Sequence, residues 1–157
     1  MSLDAPSQPA INGAAFRIAV AAARFNEELA DGLLARTLAG LRAAGVKDEN
    51  VAIVRVPGSH EVPVAAALLA RKVKPDCVIA LGVLIGGDTN HHEMVGQSVS
   101  HAVQSLALET GIPVINGVIV ANTRAQAEAR CIGKIDRGAE FAHAALAMAE
   151  LKQLFSR

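Results

Sequence analysis

Four short runs rich in Val, Ile or Ala constrain the fold of this chain more than any other feature of its sequence. They occupy positions 17–22, 51–56, 77–83 and 114–120, and their apolar residues are continuous rather than alternating with polar ones. A strand buried on both faces has this pattern, as in a parallel sheet covered on both sides. The runs therefore predict four parallel strands.

The stretches between these runs have the residue spacing of helices. Three helices are predicted from this spacing alone, at 62–73, 93–109 and, in an alanine-rich tail, 138–154. Thr123 and Gln126 form a capping box that opens another helix. The first helix is predicted by a stripe of leucines followed by Gly45 as C-cap. Its members are Leu29, Leu33, Leu34, Leu38 and Leu41.

Strand and helix thus alternate along the chain, which calls for right-handed crossovers and for helices on both faces of the sheet. We predict an α/β protein: a single three-layer α/β/α domain with a four-stranded parallel, flavodoxin-like sheet. The chain has 157 residues, enough for one compact domain. We assign residues 16–157 to this domain and 1–15 to a flexible N-terminal tail.

The composition is that of a protein with a large core. Apolar residues make up 52% of the chain and charged residues 19%, so self-association is expected to cover some apolar surface, with the alanine-rich helices at the subunit contacts. The 15 basic and 15 acidic residues cancel, and no basic cluster is longer than Arg71-Lys72. This argues against nucleic acid and anionic membranes as partners.

The two cysteines, Cys77 and Cys131, make neither a disulfide framework nor a metal motif. Cys77 opens an apolar run and is expected to pack as a small hydrophobic residue. The start of the chain lacks the features of a signal peptide, and the longest apolar stretch is too short for a bilayer. We therefore expect a cytoplasmic protein.

Polar and aromatic residues follow three of the predicted strands. The segment 24–26 (RFN) comes after the first, the segment 57–61 (PGSHE) after the second, and 86–92 (GGDTNHH) after the third. Ligands of open parallel sheets bind outside the carboxyl ends of the strands. The sequence therefore predicts a site at this edge of the sheet.

The segment 86–89 (GGDT) leads into the third helix. Glycines allow the backbone to approach a ligand, and free N–H groups at a helix start favour a phosphate. An ordinary glycine turn with Asp88 or Thr89 as N-cap explains the same residues. Both interpretations stay open at the level of sequence.

His91 and His92 are adjacent, so on a helix their side chains point about 100° apart. A metal site requires a spacing of three or four residues, and we expect no metal here. One imidazole is suited to general acid–base catalysis, because a histidine ring can both donate and accept a proton. The other is then a capping or packing residue.

Each remaining candidate has a structural alternative. Phe25 is suited to stacking on a flat heterocycle or to closing the core as a lid. Glu61 either accepts hydrogen bonds from a ligand or complements a helix dipole. Arg130 lies near the end of the fourth helix, and Lys134 and Arg137 lie in the linker before the fifth. Cations near a helix C-terminus are normal.

Five ordered segments resemble the lumazine synthase family. They are 24–26 (RFN), 56–63 (VPGSHEVP), 80–91 (ALGVLIGGDTNH), 111–117 (GIPVING) and 126–130 (QAEAR). The resemblance runs from about residue 17 to residue 151. It implies a reaction without metal or organic cofactor, in which 5-amino-6-ribitylaminouracil condenses with 3,4-dihydroxy-2-butanone 4-phosphate to give 6,7-dimethyl-8-ribityllumazine during riboflavin biosynthesis.

The resemblance also implies roles for residues. His91 is the acid–base and Arg130 pairs with the phosphate, while Phe25 stacks on the pyrimidine. The other implied ligands are the 83–85 backbone for the ring edge (Val83, Leu84, Ile85), Ser59, His60 and Glu61 for the ribityl chain and ring, and Gly87, Asp88 and Thr89 for the phosphate. Lys134 or Arg137 is a candidate second phosphate contact.

The family shares its site between subunits, so the resemblance implies that Asn116 and Arg130 approach from a neighbouring chain. Pentamers, pairs of pentamers and sixty-subunit shells are the implied assemblies, and riboflavin synthase is a further implied partner.

The chain departs from the family pattern at three positions. The family usually carries Arg or Lys at Gly86, an aromatic at His60 and often Phe at Asn116. These departures are the basis of an alternative: a catalytically weakened paralogue that binds lumazine or flavin or forms a shell. The active synthase is favoured over it, because the chain retains Phe25, Glu61, His91 and Arg130. A flavodoxin-like phosphate-binding regulator is a third interpretation, resting on fold analogy alone.

Overall fold

The computed structural model describes residues 4–156 and contains one four-stranded sheet, in which every pairing is parallel. The strand order is β2-β1-β3-β4. The predicted parallel sheet is confirmed. The strands are β1 (Ile18–Ala23), β2 (Val51–Val56), β3 (Cys77–Ile85) and β4 (Val114–Ala121).

In the described part of the chain, five α-helices connect and follow the strands: α1 (Glu27–Ala43), α2 (Val62–Val73), α3 (His91–Thr110), α4 (Arg124–Cys131) and α5 (Arg137–Phe155). Helices α1, α4 and α5 pack on one face of the sheet, and α2 and α3 pack on the other. The predicted three-layer arrangement is therefore confirmed. Within residues 4–156 we find no helix with the length and apolar character needed to cross a membrane.

Alternate residues of β1 enter the two cores. Ile18, Val20 and Ala22 contact the α1/α4/α5 side, whereas Ala19 and Ala21 contact the α2/α3 side, and all are fully buried. A strand buried on both faces has no solvent-facing position to mark with a polar residue. This is the physical reason for the continuous apolar run.

Local signals place two helix ends. The Thr123 hydroxyl accepts the Gln126 N–H at 3.2 Å, as the capping box requires. The Gln126 side chain, however, accepts the N–H of Asn122 at 2.8 Å, one residue before the cap. Gly45 follows the end of α1 with φ 90°, a left-handed conformation that favours glycine.

The alanine-rich face of α5 is used inside the chain. Ala142, Ala145 and Ala149 are buried in the core between α1, α5 and the sheet. A Cβ added at Gly138 would lie 2.8 Å from the backbone nitrogen of Thr37, so α1 and α5 approach almost backbone to backbone. We expected these alanines at subunit contacts, but small side chains are needed first for this intrachain crossing.

The last residues of the N-terminal segment contact the rest of the protein. Gly13 donates its N–H to the Ala44 carbonyl at 2.7 Å, and a His143 ring nitrogen lies 2.9 Å from the Pro9 carbonyl oxygen. The division into a tail of residues 1–15 and a domain of 16–157 stays a prediction, and residues 1–3 and 157 lie outside the described residues.

Both thiols are expected to resist modification in the folded protein. Cys77 and Cys131 are fully buried, and desolvation raises their pKa values to about 12 and about 11. A raised pKa leaves little thiolate at pH 8, and the thiolate is the nucleophile. Iodoacetamide at pH 8 should label neither thiol in native protein and both after unfolding in urea. Rapid labelling of either native thiol would contradict this burial.

Candidate active site

A cleft of about 460 Å³ opens at the carboxyl edge of the sheet, where the sequence predicted a site. Segments that follow β1, β2 and β3 meet there, because parallel strands end at the same edge. Its walls are formed by Phe25, Asn26, Gly58, Ser59, His60, Glu61, Val83, Leu84, Ile85, Gly87, Thr89, His91, His92 and Val95.

Phe25 lines this cleft with 72% of its surface exposed. The alternative that it closes the core as a lid is therefore wrong. Its backbone N–H donates to the Pro57 carbonyl at 3.0 Å, which ties the β1 and β2 loops together and fixes the start of the side chain. An exposed aromatic ring at a cleft is suited to stacking on a flat ligand.

Asn26 lines the cleft too. The sequence placed it at this edge of the sheet but gave it no role in the site. Its side-chain amide donates to the Val83 carbonyl at 2.8 Å, and its backbone is left-handed with φ 59°. Asparagine tolerates this conformation better than most residues. Its place just before the acidic start of α1 was a signal for an N-cap, but nothing in the sequence indicated a contact with β3.

Ser59–Glu61 forms a short 3-10 turn before α2. The Glu61 carboxylate accepts the Gly58 N–H at 2.9 Å, so it first closes its own turn. The side chain is nevertheless exposed at the cleft, and a carboxylate has further acceptor sites. A ligand role for Glu61 is compatible with this local one.

The Ser59 hydroxyl is buried and has no hydrogen-bond partner among the described residues. It lies over Gly82 of β3, where an added Cβ would be 2.3 Å from the hydroxyl oxygen. Glycine at position 82 is what allows this turn to sit on the sheet. A buried polar group without a partner costs about 1–3 kcal/mol, and such groups concentrate at functional sites.

The glycine segment after β3 forms a turn into α3. Gly86 donates its N–H to the Ala121 carbonyl at 2.8 Å, while Gly87 is exposed with open space around it. Neither Asp88 nor Thr89 is the N-cap, because Asn90 holds that position. The Thr89 hydroxyl instead accepts the His91 N–H at 3.4 Å.

His91 begins α3 and is exposed at the cleft. His92 is half-buried, and its Nε2 lies 3.3 Å from the Asn122 Oδ1. The adjacent rings therefore have different surroundings, as their angular separation predicts. In the described part of the chain, no group of three His, Cys, Asp or Glu side chains is placed to hold a metal ion.

The remaining predicted ligands do not line this cleft in their own chain: Asp88, Asn116, Arg130, Lys134 and Arg137. Arg130 donates to the Gln126 carbonyl at 2.9 Å, and Arg137 pairs with Glu140 at 2.6 Å. Lys134 is exposed in the loop after α4, and the exposed Asn116 side chain accepts the Val118 N–H at 3.2 Å. A single chain thus does not bring Arg130 together with His91.

The chain is similar to known proteins along almost its whole length. Residues 15–153 match the family model of 6,7-dimethyl-8-ribityllumazine synthase. A 6,7-dimethyl-8-ribityllumazine synthase of Bordetella petrii is 41% identical over 143 residues, which is 91% of this chain and 80% of the relative. That of Pyrococcus furiosus is 42% identical over 139 residues, covering 88% and 87%.

A third relative of the same name, from Nitrosospira multiformis, is 40% identical over 146 residues, or 93% of this chain and 89% of its own. The matched region includes all four strands and the whole cleft. The chain belongs to the 6,7-dimethyl-8-ribityllumazine synthase family.

Proposed function

We propose that this protein condenses 5-amino-6-ribitylaminouracil with 3,4-dihydroxy-2-butanone 4-phosphate to give 6,7-dimethyl-8-ribityllumazine in riboflavin biosynthesis. The observation that carries the proposal is the meeting of Phe25, Glu61 and His91 with a glycine turn in one cleft. Phe25 suits a flat ring and Glu61 suits a polyhydroxyl chain. His91 suits a proton transfer, and the glycine turn suits a phosphate. The reaction needs only positioning and proton movement, so no cofactor is invoked.

The pyrimidine is placed against Phe25, where stacking contributes about 0.5–1.5 kcal/mol beyond area burial. The ring edge faces the backbone of 83–85. The Val83 carbonyl already accepts from Asn26, so we assign the edge contacts mainly to Leu84 and Ile85, which are half-buried at the cleft. Ser59, His60 and Glu61 hold the ribityl chain and ring.

The phosphate is placed on the turn 87–89, at the start of α3. Gly87 has open space where a side chain would otherwise stand, so a phosphate oxygen can approach its backbone. The helix start contributes partial positive charge, which stabilises the negative charge that grows as phosphate leaves. Asp88 contributes its backbone only, since a carboxylate beside phosphate repels it.

Arg130 completes the phosphate site from a neighbouring subunit, and Asn116 approaches the pyrimidine in the same way. The support is that neither residue reaches the cleft of its own chain, although both are at least partly exposed. Lys134, in the loop after α4, and Arg137, the first residue of α5, remain the candidates for a second phosphate contact. Arg137 would have to rearrange its pair with Glu140 to reach a phosphate, which favours Lys134.

A homo-oligomer is required by this arrangement, and we propose the pentamer. Exposed apolar residues on α2, α3 and β4 provide surface for it: Val64, Leu68, Met94, Leu108 and Val120. A sixty-subunit shell of twelve pentamers, and association with riboflavin synthase, are finer forms of the same proposal. The native mass distinguishes these assemblies.

Incubating the protein with both substrates tests the activity, because the lumazine product has a blue-green fluorescence. Product formation above the background of the substrates alone supports a synthase. Saturable binding of lumazine or riboflavin without turnover would overturn it in favour of the catalytically weakened paralogue.

Replacing the acid–base should slow the reaction without stopping it. His91→Ala is expected to lower kcat about 100-fold, since general acid–base catalysis contributes at least that much. The variant should still exceed the uncatalysed rate, because the cleft continues to hold two reactants that condense readily. Steady-state rates of the variant, compared with the substrates alone, check this. Activity at the background level would refute the division between positioning and proton transfer.

A further inference from the structure

The imidazole of His92 occupies space that a side chain at position 86 would need. A Cβ added at Gly86 would lie 3.1 Å from the His92 Nε2 and 2.7 Å from the Asn122 carbonyl oxygen. Position 86 begins the turn that leads to the proposed phosphate ligands. The ring of His92 therefore packs directly behind this turn while lining the cleft.

The ring is anchored to the loop between β4 and α4. Its Nε2 lies 3.3 Å from the Asn122 Oδ1, which accepts, so the proton is assigned to Nε2. The Asn122 backbone is held in turn, because its N–H donates to the Gln126 side chain at 2.8 Å. The glycine turn is tied nearby, because Gly86 donates its N–H to the carbonyl of Ala121, the last residue of β4.

The second ring nitrogen of His92, Nδ1, does not explain why a histidine occupies position 92. The Nδ1 of His92 is buried and has no hydrogen-bond partner among the described residues. An apolar ring would fill the same space without that cost. The benefit of the imidazole must therefore come through Nε2 and the Asn122 contact that it makes.

We propose that His92 is a positioning residue for the phosphate substrate. Its Nε2–H, held by Asn122, fixes the turn 86–89 so that the backbone N–H groups of 87–89 point at the phosphate. His91 and His92 then have separate tasks, proton transfer and orientation of the phosphate turn. This inference rests on the proposed function and deepens it.

The test separates the two substrates. His92→Phe keeps a ring but removes the Nε2–H, and it is expected to raise the KM for the phosphate substrate about tenfold, the equivalent of one lost hydrogen bond to a positioned group. The KM for the pyrimidine should stay within twofold. A variant that was merely damaged would raise both constants or melt at a markedly lower temperature.

Asn122→Ala should reproduce the effect, and the double variant should be no worse than either single one, since both remove the same contact. His92→Gln, which retains an amide N–H, should recover part of the affinity. His101→Phe is the matched control, because His101 is exposed on the same helix and does not line the cleft.

Binding of inorganic phosphate, followed by calorimetry, gives a readout independent of turnover. His92→Phe is expected to weaken it relative to unaltered protein and to His101→Phe. Unchanged phosphate binding and unchanged KM in His92→Phe overturn the inference, even where the unaltered protein is an active synthase. Absence of turnover in the unaltered protein with a selective loss of phosphate binding in the variant would overturn the proposed function alone.

Discussion

Chains carrying His91→Ala and chains carrying Arg130→Ala are expected to restore one another when they are unfolded and reassembled together. Each variant alone lacks one half of every site. In a mixed ring, an intact His91 on one chain meets an intact Arg130 on its neighbour at about one quarter of the interfaces. An equal mixture should therefore recover up to about a quarter of the activity of the unaltered protein.

The control uses the same two variants, each reassembled separately before the two preparations are combined. This combined sample should show only the sum of the two residual rates. A mixture of His91→Ala with Phe25→Ala is the matched negative control, since both residues line the cleft of one chain. Absence of recovery in the first mixture, with both variants folded and oligomeric, would rule out a site shared between subunits.

Gly138→Val is expected to destabilise the chain by about 3 kcal/mol or to prevent folding. An added Cβ at this position would lie 2.6 Å from the Arg36 Cβ and 2.8 Å from the Thr37 nitrogen. Backbone atoms in the middle of α1 cannot move aside as the end of a flexible side chain does. The two helices must separate, and the buried face between them loses its contacts.

Urea unfolding of the variant measures this loss. Gly87→Ala is the control for stability. Like Gly138, Gly87 does not have a left-handed backbone, but a Cβ added at Gly87 would have no neighbouring atom within 4 Å. It should unfold within about 0.5 kcal/mol of the unaltered protein, the usual range for exposed positions. Equal stability of Gly138→Val and Gly87→Ala would show that α1 and α5 do not approach within the distance of a side-chain clash at Gly138.

The strands were predictable because their signal is local. Val51–Val56 was predicted to the residue, and the other three strands extend beyond or shift from the predicted ends by one or two residues. Continuous apolar runs mark burial on both faces wherever they occur. The residue spacing predicts the third helix from 93, whereas the helix begins at His91. Its N-cap, Asn90, makes no side-chain capping bond, so no capping motif in the sequence marks this start.

The site was predictable in part. Residues just after β1, β2 and β3 line one cleft because a parallel sheet brings its strand ends together, which follows from topology alone. The contact from Asn26 to Val83, the open space at Gly87 and the ring of His92 behind Gly86 were not predictable. Each depends on the distance between loops that are far apart in sequence.

The sequence by itself determined the succession of strands and helices along the chain, the edge of the sheet that carries polar residues, and the family. Periodicity and local motifs are sufficient to predict these features, because each such signal lies within a short run of consecutive residues. Only the tertiary structure decided that the α5 alanines serve the α1 crossing and that the ring of His92 packs behind Gly86. Packing distances between distant segments fix these features, and no local pattern of residues encodes such a distance.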